Sequence, residues 1–492
     1  MSNKVQLSFW QIIHLNVGFF GIQYSFGLQQ SAVNPIYDFL GASPDQIPIL
    51  NLAGPITGLI VQPIVGAISD RTFHPKWGRR KPFFLLGAIL CSIALFFFPF
   101  SSSLWFATGM LWILDIGNNM AMEPYRAYVA DTLDEDKQST GFLIQSFFTG
   151  FGQTIANLSL FIFPLVFLSK TGHIPNWVFA SFFLGSICSI ASILWSLYKT
   201  KEIKELPYET SNNEFKLSTL VHDFYLAFKE MPRSMKYLSI IYLFQWYALF
   251  CYWQNSSKAI AMNCFEWKSM SGEQSKEAMA YAELETVVAQ IPETKSMDAD
   301  SLFMSFSESS TPLKDKIENE KNQLAQSYVA NRLKYEKAVS WTGLVNGWYN
   351  IVTFIVALVL IYFAKIIHPK FIHATALFCA AVGLFAFSQI TNKYWLFLAI
   401  SGFGIAWASI MAIPFLLVVK DIPAKRYGIY MGIINAMIVI PMFIQTTSFG
   451  FIMRNYLHNN SATAIVFAAA LLLISSFLCL FFPTMEKNTS TT

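Results

Sequence analysis

Apolar residues in this chain come in long runs rather than in stripes of helical or strand period. A run of 18 or more apolar residues has the length of a membrane-crossing helix, because about 20 residues at about 1.5 Å rise span the hydrocarbon core. Twelve such spans are predicted, at 9–30, 46–68, 82–100, 104–129, 140–168, 175–198, 237–257, 340–364, 371–390, 394–419, 427–453 and 462–483. Two polar intervals interrupt them, at 199–236 and 259–339. The predicted fold is all-α and polytopic, with twelve transmembrane helices in two six-helix halves. The first half covers 1–198, a linker 199–236, and the second half 237–492 with the insert 259–339.

Polar patterning adds two features. The fourth span reads MAMEPYRAYVAD from Met120 to Asp131, and the tenth reads IMAIPFLLVVKD from Ile410 to Asp421. In both a proline stands seven residues before an aspartate (Pro124 and Asp131, Pro414 and Asp421), and HPK turns recur at His74 and His368. Repeats at corresponding spans imply two related halves, the arrangement of alternating-access carriers. The insert instead spaces acidic and basic residues three and four apart, as in LKDKIENEKNQLAQSYVANRLKYEKA, which predicts a small helical cap outside the membrane; a partly disordered linker is the other reading, since so little of it is apolar.

Composition agrees with the spans. Hydrophobic residues make up 54% of the 492 residues and charged residues 13%, with 47 Phe, 20 Tyr and 13 Trp. A globular protein carries about a quarter charged residues, so this chain cannot cover an aqueous surface in the usual way. A net charge of +4 is too small to point to nucleic acid. Its distribution says more. With the N-terminus inside, the inner loops hold Arg71, Lys76, Arg79, Arg80, Lys81, Lys137, Lys365, Lys370, Lys420, Lys425 and Arg426, against Lys170, Lys393 and Arg454 in the short outer loops. The positive-inside rule then puts both termini in the cytoplasm and the insert outside. The six cysteines have neither paired nor metal spacing and read as packing residues. No small-residue cleavage site follows the first apolar stretch, so the first helix is expected to stay as an anchor.

Candidate chemistry concentrates in the fourth span. Asp115 lies about 16 Å from its outer end, near the bilayer midplane. Asp115, Asn118, Asn119, Glu123 and Arg126 share one helix face, and Pro124 frees a backbone carbonyl in the same turn. Amides and a carboxylate at depth suit the wall of a cavity that binds hydroxyl groups, and Arg126 can compete with a proton for a carboxylate. A buried Glu123–Arg126 pair that only fixes helix packing is the alternative. On the loop between spans two and three, Asp70 close to Arg79 and Arg80 suits a gate of charge pairs, with Arg71 beside it; plain anchoring by basic residues is the other reading.

Weaker signals are uncharged hydrogen-bonding residues at depth, namely Gln23, Gln29, Gln62, Gln145, Gln153, Gln245, Asn346 and Asn350. Each can line a sugar site or bond across helices. Trp246, Trp253, Trp348 and Tyr349 can stack on a pyranose face. Gln23, Trp348 and Asn350 are the first choices for substrate contact. His173, His222, His368 and His373 are scattered, with no nucleophile triad and no metal spacing, so neither an enzyme nor a metal or cofactor site is expected.

The loop order Gly, Asp, Arg, Gly, Arg, Arg from Gly66 to Arg80 resembles the signature loop of the major facilitator superfamily. Together with LNLAGPITGLIVQPIVGAISDR from Leu50, LDIGNNMAMEPYRAYVAD and GIYMGIINAMIVIP, it resembles the sucrose-transporter branch of the glycoside–pentoside–hexuronide carriers. Bacterial maltose or sucrose carriers look most similar. The resemblance covers nearly all spans but not the insert. It implies proton-coupled uptake of a disaccharide or other α-glucoside across the plasma (bacterial inner) membrane. Its proton- and sugar-binding aspartate is matched by Asp115, and its arginine eleven residues on by Arg126. Glu123 stands where the plant pattern has a small residue, which leaves its share in proton coupling open. A sodium-coupled glycoside carrier and a drug exporter of the same fold are the alternatives.

Overall fold

Among the described residues, the computed structural model has twelve long helices. It describes residues 7–71, 74, 77–133, 135–167, 170–171, 174–200, 229–268, 277, 279–281, 283, 319–418, 421 and 427–483. The helices are α1 Phe9–Phe39, α2 Ala53–Arg71, α3 Lys81–Phe97, α4 Leu104–Thr132, α5 Glu135–Ile162, α6 Asn176–Lys199, α7 Arg233–Cys264, α8 Asn319–Ile366, α9 Pro369–Phe387, α10 Leu396–Val418, α11 Tyr427–Asn455 and α12 Ser461–Leu480. A short helical turn, Ile47–Leu50, precedes α2. Most of the linker and most of the insert lie outside the described residues.

Local sequence explains the starts. Ser8 and Gln11 form a capping box at α1, Ser103 caps α4, and Asn460 accepts from two backbone amides at the head of α12. Pro369 takes the first position of α9, where its missing N–H costs nothing. Eight of the helical segments among the described residues are long and apolar enough to cross a membrane. α1, α4, α7 and α8 are not among them, because amides and charged residues interrupt their apolar surface.

The packing repeats after six helices. In the first set α1 packs on α5 and α6, α3 on α4 and α6, and α2 on α4. In the second α7 packs on α11 and α12, α9 on α10 and α12, and α8 on α10. The sets meet through α2 with α11 and α5 with α8, which are again equivalent pairs. Glycines permit the closest approaches at equivalent places. A Cβ on Gly87 of α3 would lie 2.6 Å from the Gly117 carbonyl of α4, and one on Gly383 of α9 would strike the Ala399 carbonyl of α10. Large apolar side chains such as Leu59, Ile64, Phe385 and Phe451 are exposed on the outside of the bundle, as a hydrocarbon surround requires.

Three predicted boundaries are corrected. α1 runs to Phe39, not residue 30; α7 runs to Cys264, not residue 257; and α8 begins at Asn319, not residue 340. The reason is common to the first two. Polar residues that read as span ends are bonded inside the bundle: Ser31 to Asn157, Gln254 to Gln445, and Asn255 to Ser461. Residues 319–339 of the insert are helical and run on without a break as the first turns of the 48-residue α8.

Candidate functional site

α4 carries its polar stripe between α1, α2 and α3. Asp115 is 1% exposed, and Gln29 of α1 donates to its Oδ1 at 2.8 Å. Asn118 donates to the Gln29 side-chain Oε1 at 3.5 Å and accepts from the Cys91 thiol at 3.2 Å. Asn119 donates to Thr57 at 3.0 Å and to the Asp115 carbonyl at 2.9 Å. Gln62 of α2 donates to Asn119 and accepts from Asn435 of α11, each at 2.6 Å. A run of amides therefore leads from Asp115 into the second six-helix set. The other carboxylate oxygen, Oδ2, is buried without a hydrogen-bond partner among the described residues. Gly54 lies opposite it, with room for a Cβ at 3.8 Å. An acceptor left like this is costly, and a proton or a ligand hydroxyl would satisfy it.

Glu123 and Arg126 form an ion pair at 3.3 Å, with Arg126 6.0 Å from the Phe19 ring centroid. The alternative of a buried packing pair is not what the structure has: their side chains are 34% and 48% exposed. The pair stands three turns from Asp115 on the same face. On α2, a Cβ on Gly58 would touch Val439 of α11 at 3.5 Å, whereas one on Gly66 would meet nothing within 4 Å among the described residues.

Other candidates are placed elsewhere. Gln23 accepts from Gln153 at 2.9 Å, buried between α1 and α5. Asn350 is buried and donates to the Asn346 carbonyl of its own helix at 2.9 Å. Trp348 is 40% exposed, donates to Ser401 at 2.9 Å, and shares an outward apolar face with Ile351 and Ile355. These three are not gathered around Asp115. Asn346 is better placed, since it accepts from Tyr252 and donates to Ser31 of α1.

On the loop after α2, Gly78 at φ 69° turns the chain back. Arg79 and Arg80 then reach Asp131 of α4 at 3.4 and 3.1 Å, and Arg80 also donates to Ser69 at 2.7 Å. Asp131 is thus a carboxylate partner of both arginines, and these pairs lie within the first set. The side chains of Asp70 and Arg71 lie outside the described residues.

Sequence reasoning missed the largest charge feature. Lys258 of α7 pairs with Asp38 of α1 at 2.5 Å, and Tyr335 of α8 donates to the same carboxylate. Both side chains are nearly buried, at 6% and 9% exposure. Farther out, Arg454 of α11 pairs with Asp45. A signal was present: one acid and one base stand just past the ends of the apolar runs in spans one and seven, which the repeat makes equivalent.

A family profile described as "MFS/sugar transport protein" matches residues 36–257. The "Sucrose transport protein SUC3" of Arabidopsis thaliana is 34% identical over 142 residues, 24% of this chain and 24% of that protein. The "Sucrose transport protein SUT5" of Oryza sativa subsp. indica is 33% identical over 162 residues, 28% of this chain and 30% of that one. The matches thus span about a quarter of these relatives' length. Among solved structures, a mutant of the nucleoside transporter NupG superposes with TM-score 0.65 at 11% identity, covering 97% of this chain and 100% of that one. The xylose transporter XylE from E. coli gives TM-score 0.58 at 11% identity, covering 98% and 99%.

The protein is therefore an all-α polytopic membrane protein of the major facilitator fold. Its likeness in sequence lies in the sugar-transport family of that superfamily, on the sucrose-transporter side, and the relatives it matches are transporters rather than enzymes.

Proposed function

We propose that this chain carries a disaccharide or other α-glucoside, such as maltose or sucrose, inward by alternating access together with a proton. The observation that carries this reading is Asp115, a buried carboxylate held by amides alone and with one oxygen unpartnered. Among the described residues no cation compensates an ionised carboxylate in this place, so the state that crosses the membrane is the one in which Oδ2 holds a proton. Gln29, Asn118 and Asn119 then offer both donors and acceptors to sugar hydroxyls, while Glu123 and Arg126 line the open approach. The plant relatives named as sucrose transport proteins support the solute class. Residues 1–198 and 237–492 are read as the two rocking units, with 199–236 joining them on the inner side of the plasma membrane. The loop bearing Asp70, Arg71, Arg79 and Arg80 is read as the inner gate. The test is uptake of labelled maltose and sucrose into cells, with and without a protonophore. Accumulation that collapses with the protonophore is the expected result. Accumulation that follows a sodium gradient instead, or no uptake of either sugar, overturns the reading.

A further inference from the structure

We propose that Asp38, Lys258 and Tyr335 form a latch that holds shut the mouth of the protein at the C-terminal ends of α1 and α7, and that opens once in every transport cycle. The inference rests on the alternating-access part of the proposed function and not on which solute is carried.

Position is the first argument. The acid is on α1 and the base on α7, so the pair joins the two six-helix sets, and Tyr335 adds a third strap from α8. The contacts between sets gather on the same side. Asn346 bonds Ser31, Ser340 donates to the Phe161 carbonyl at 3.3 Å, and Arg454 meets Asp45. Toward the other end Gln62 and Asn435 bond across the sets, and beyond them Arg126 and Glu123 are 48% and 34% exposed. The pair thus sits where the described contacts between the sets gather.

Shielding is the second. Tyr335 packs against Phe39 at 5.7 Å and Trp267 at 5.0 Å between ring centroids, and Phe39 packs against Trp177 at 6.4 Å. These rings come from α8, α1, the segment after α7 and the first turn of α6. They form a collar around the carboxylate that exists only while the four elements are together. Water is excluded, so each charge depends on the other.

The third argument is what happens on opening. Separation of α1 from α7 parts the collar and admits water to both charges, so hydration replaces the lost partner. A salt bridge with a purely structural role would keep its partner in both states. This one is built to be exchanged, and it biases the closed state only as long as both charges are present.

The test uses the full chain with its six cysteines replaced and spin labels at Ser102→Cys and Thr391→Cys. These exposed positions lie on the latch side of the two sets, before α4 and before α10. Distances are measured by pulsed electron spin resonance without added solute, so a wrong solute assignment leaves the experiment intact. Asp38→Asn and Lys258→Gln should each raise the ratio of separated to closed populations about tenfold or more. The double neutral variant leaves no buried charge unpaired, so it should fold even if the single variants do not, and it should also favour separation. Exchange of the charges, Asp38→Lys with Lys258→Asp, should return the population toward closed. Unchanged distances in the double neutral variant overturn the latch. So does an exchanged variant that stays as open as the neutral one, because pairing would then not be the operative interaction.

Discussion

Asp115 and Asp38 are both buried carboxylates in the first six-helix set, yet their surroundings have little in common. Asp115 faces Gln29, and its carboxylate has no cation among the described partners. Asp38 faces Lys258 and Tyr335 from the other set. The first is tied within its own half and left short of charge compensation. The second is compensated, but only while the halves touch. A carboxylate of the first kind can respond to a proton or a sugar without any helix moving. One of the second kind responds only to the movement itself. The contrast separates the binding of the cargo from the swing that carries it.

The largest effect is expected at Asp115. Asp115→Asn should abolish accumulation against a gradient while leaving the protein folded and able to exchange sugar. Accumulation ratio and counterflow in the same vesicles check this, and a variant that still concentrates sugar would dissolve the contrast. Next comes Lys258→Gln, which strands the Asp38 charge and should destabilise the closed protein by about 3–5 kcal/mol. Adding Asp38→Asn should recover most of that loss in denaturant unfolding, whereas Asp115→Asn should recover none of it.

A smaller change is expected from Asn435→Leu, which cuts the amide run where it enters the second set and leaves the Gln62 carbonyl without its donor. That should cost about 1–3 kcal/mol and weaken sugar affinity less than a Gln29 substitution. Binding isotherms for the two variants order them. Neutralising Arg79 and Arg80 together frees Asp131 and should slow turnover more than it alters affinity, read as separate changes in Vmax and KM.

The smallest effect belongs to the outer pair of Asp45 and Arg454. Arg454 is 69% exposed, so Asp45→Asn should cost about 1 kcal/mol or less. Burial opposes ionisation of Asp45, but hydrogen bonds from Ser43 and Arg454 hold its carboxyl below the usual range. Because the folded value is depressed, this contribution is present above the unfolded carboxylate pKa and lost as pH falls through the lower folded value. Asp45→Asn should therefore flatten the acid limb of a stability profile and leave it unchanged at neutral pH to within that amount.

The twelve spans and the polar face of α4 were legible in the sequence because each is a local pattern. Asp115, Asn118 and Asn119 could be grouped by helical offset alone. Gln29, Gln62 and Cys91 could not be ranked, since their importance lies in which helix stands opposite; Cys91 in particular read as packing but donates to Asn118. Asp38 and Lys258 were hidden for a different reason. A charged residue after an apolar run looks like the end of a span until its partner, more than two hundred residues away, is known. Asp131 as a partner of the arginine loop was hidden likewise, because it is distant in sequence and adjacent in space. Trp348 was chosen for its ring, but its helix face turns outward.

Helix α8 has a mechanical consequence of its own. At about 1.5 Å per residue its 48 residues reach about 72 Å, more than twice the hydrocarbon thickness. About 24 Å of it, from Asn319 to Tyr335, extends beyond the latch as one continuous rod, fixed at its side where Asn331 grips the backbone of Lys268. Such a rod is a lever arm. A tilt of about ten degrees in the second half, too small to notice within the bundle, sweeps its tip by about 4 Å over that overhang. Whatever rests against the projecting end feels each turn of the carrier as a displacement, and a load placed there would be felt in return at Tyr335.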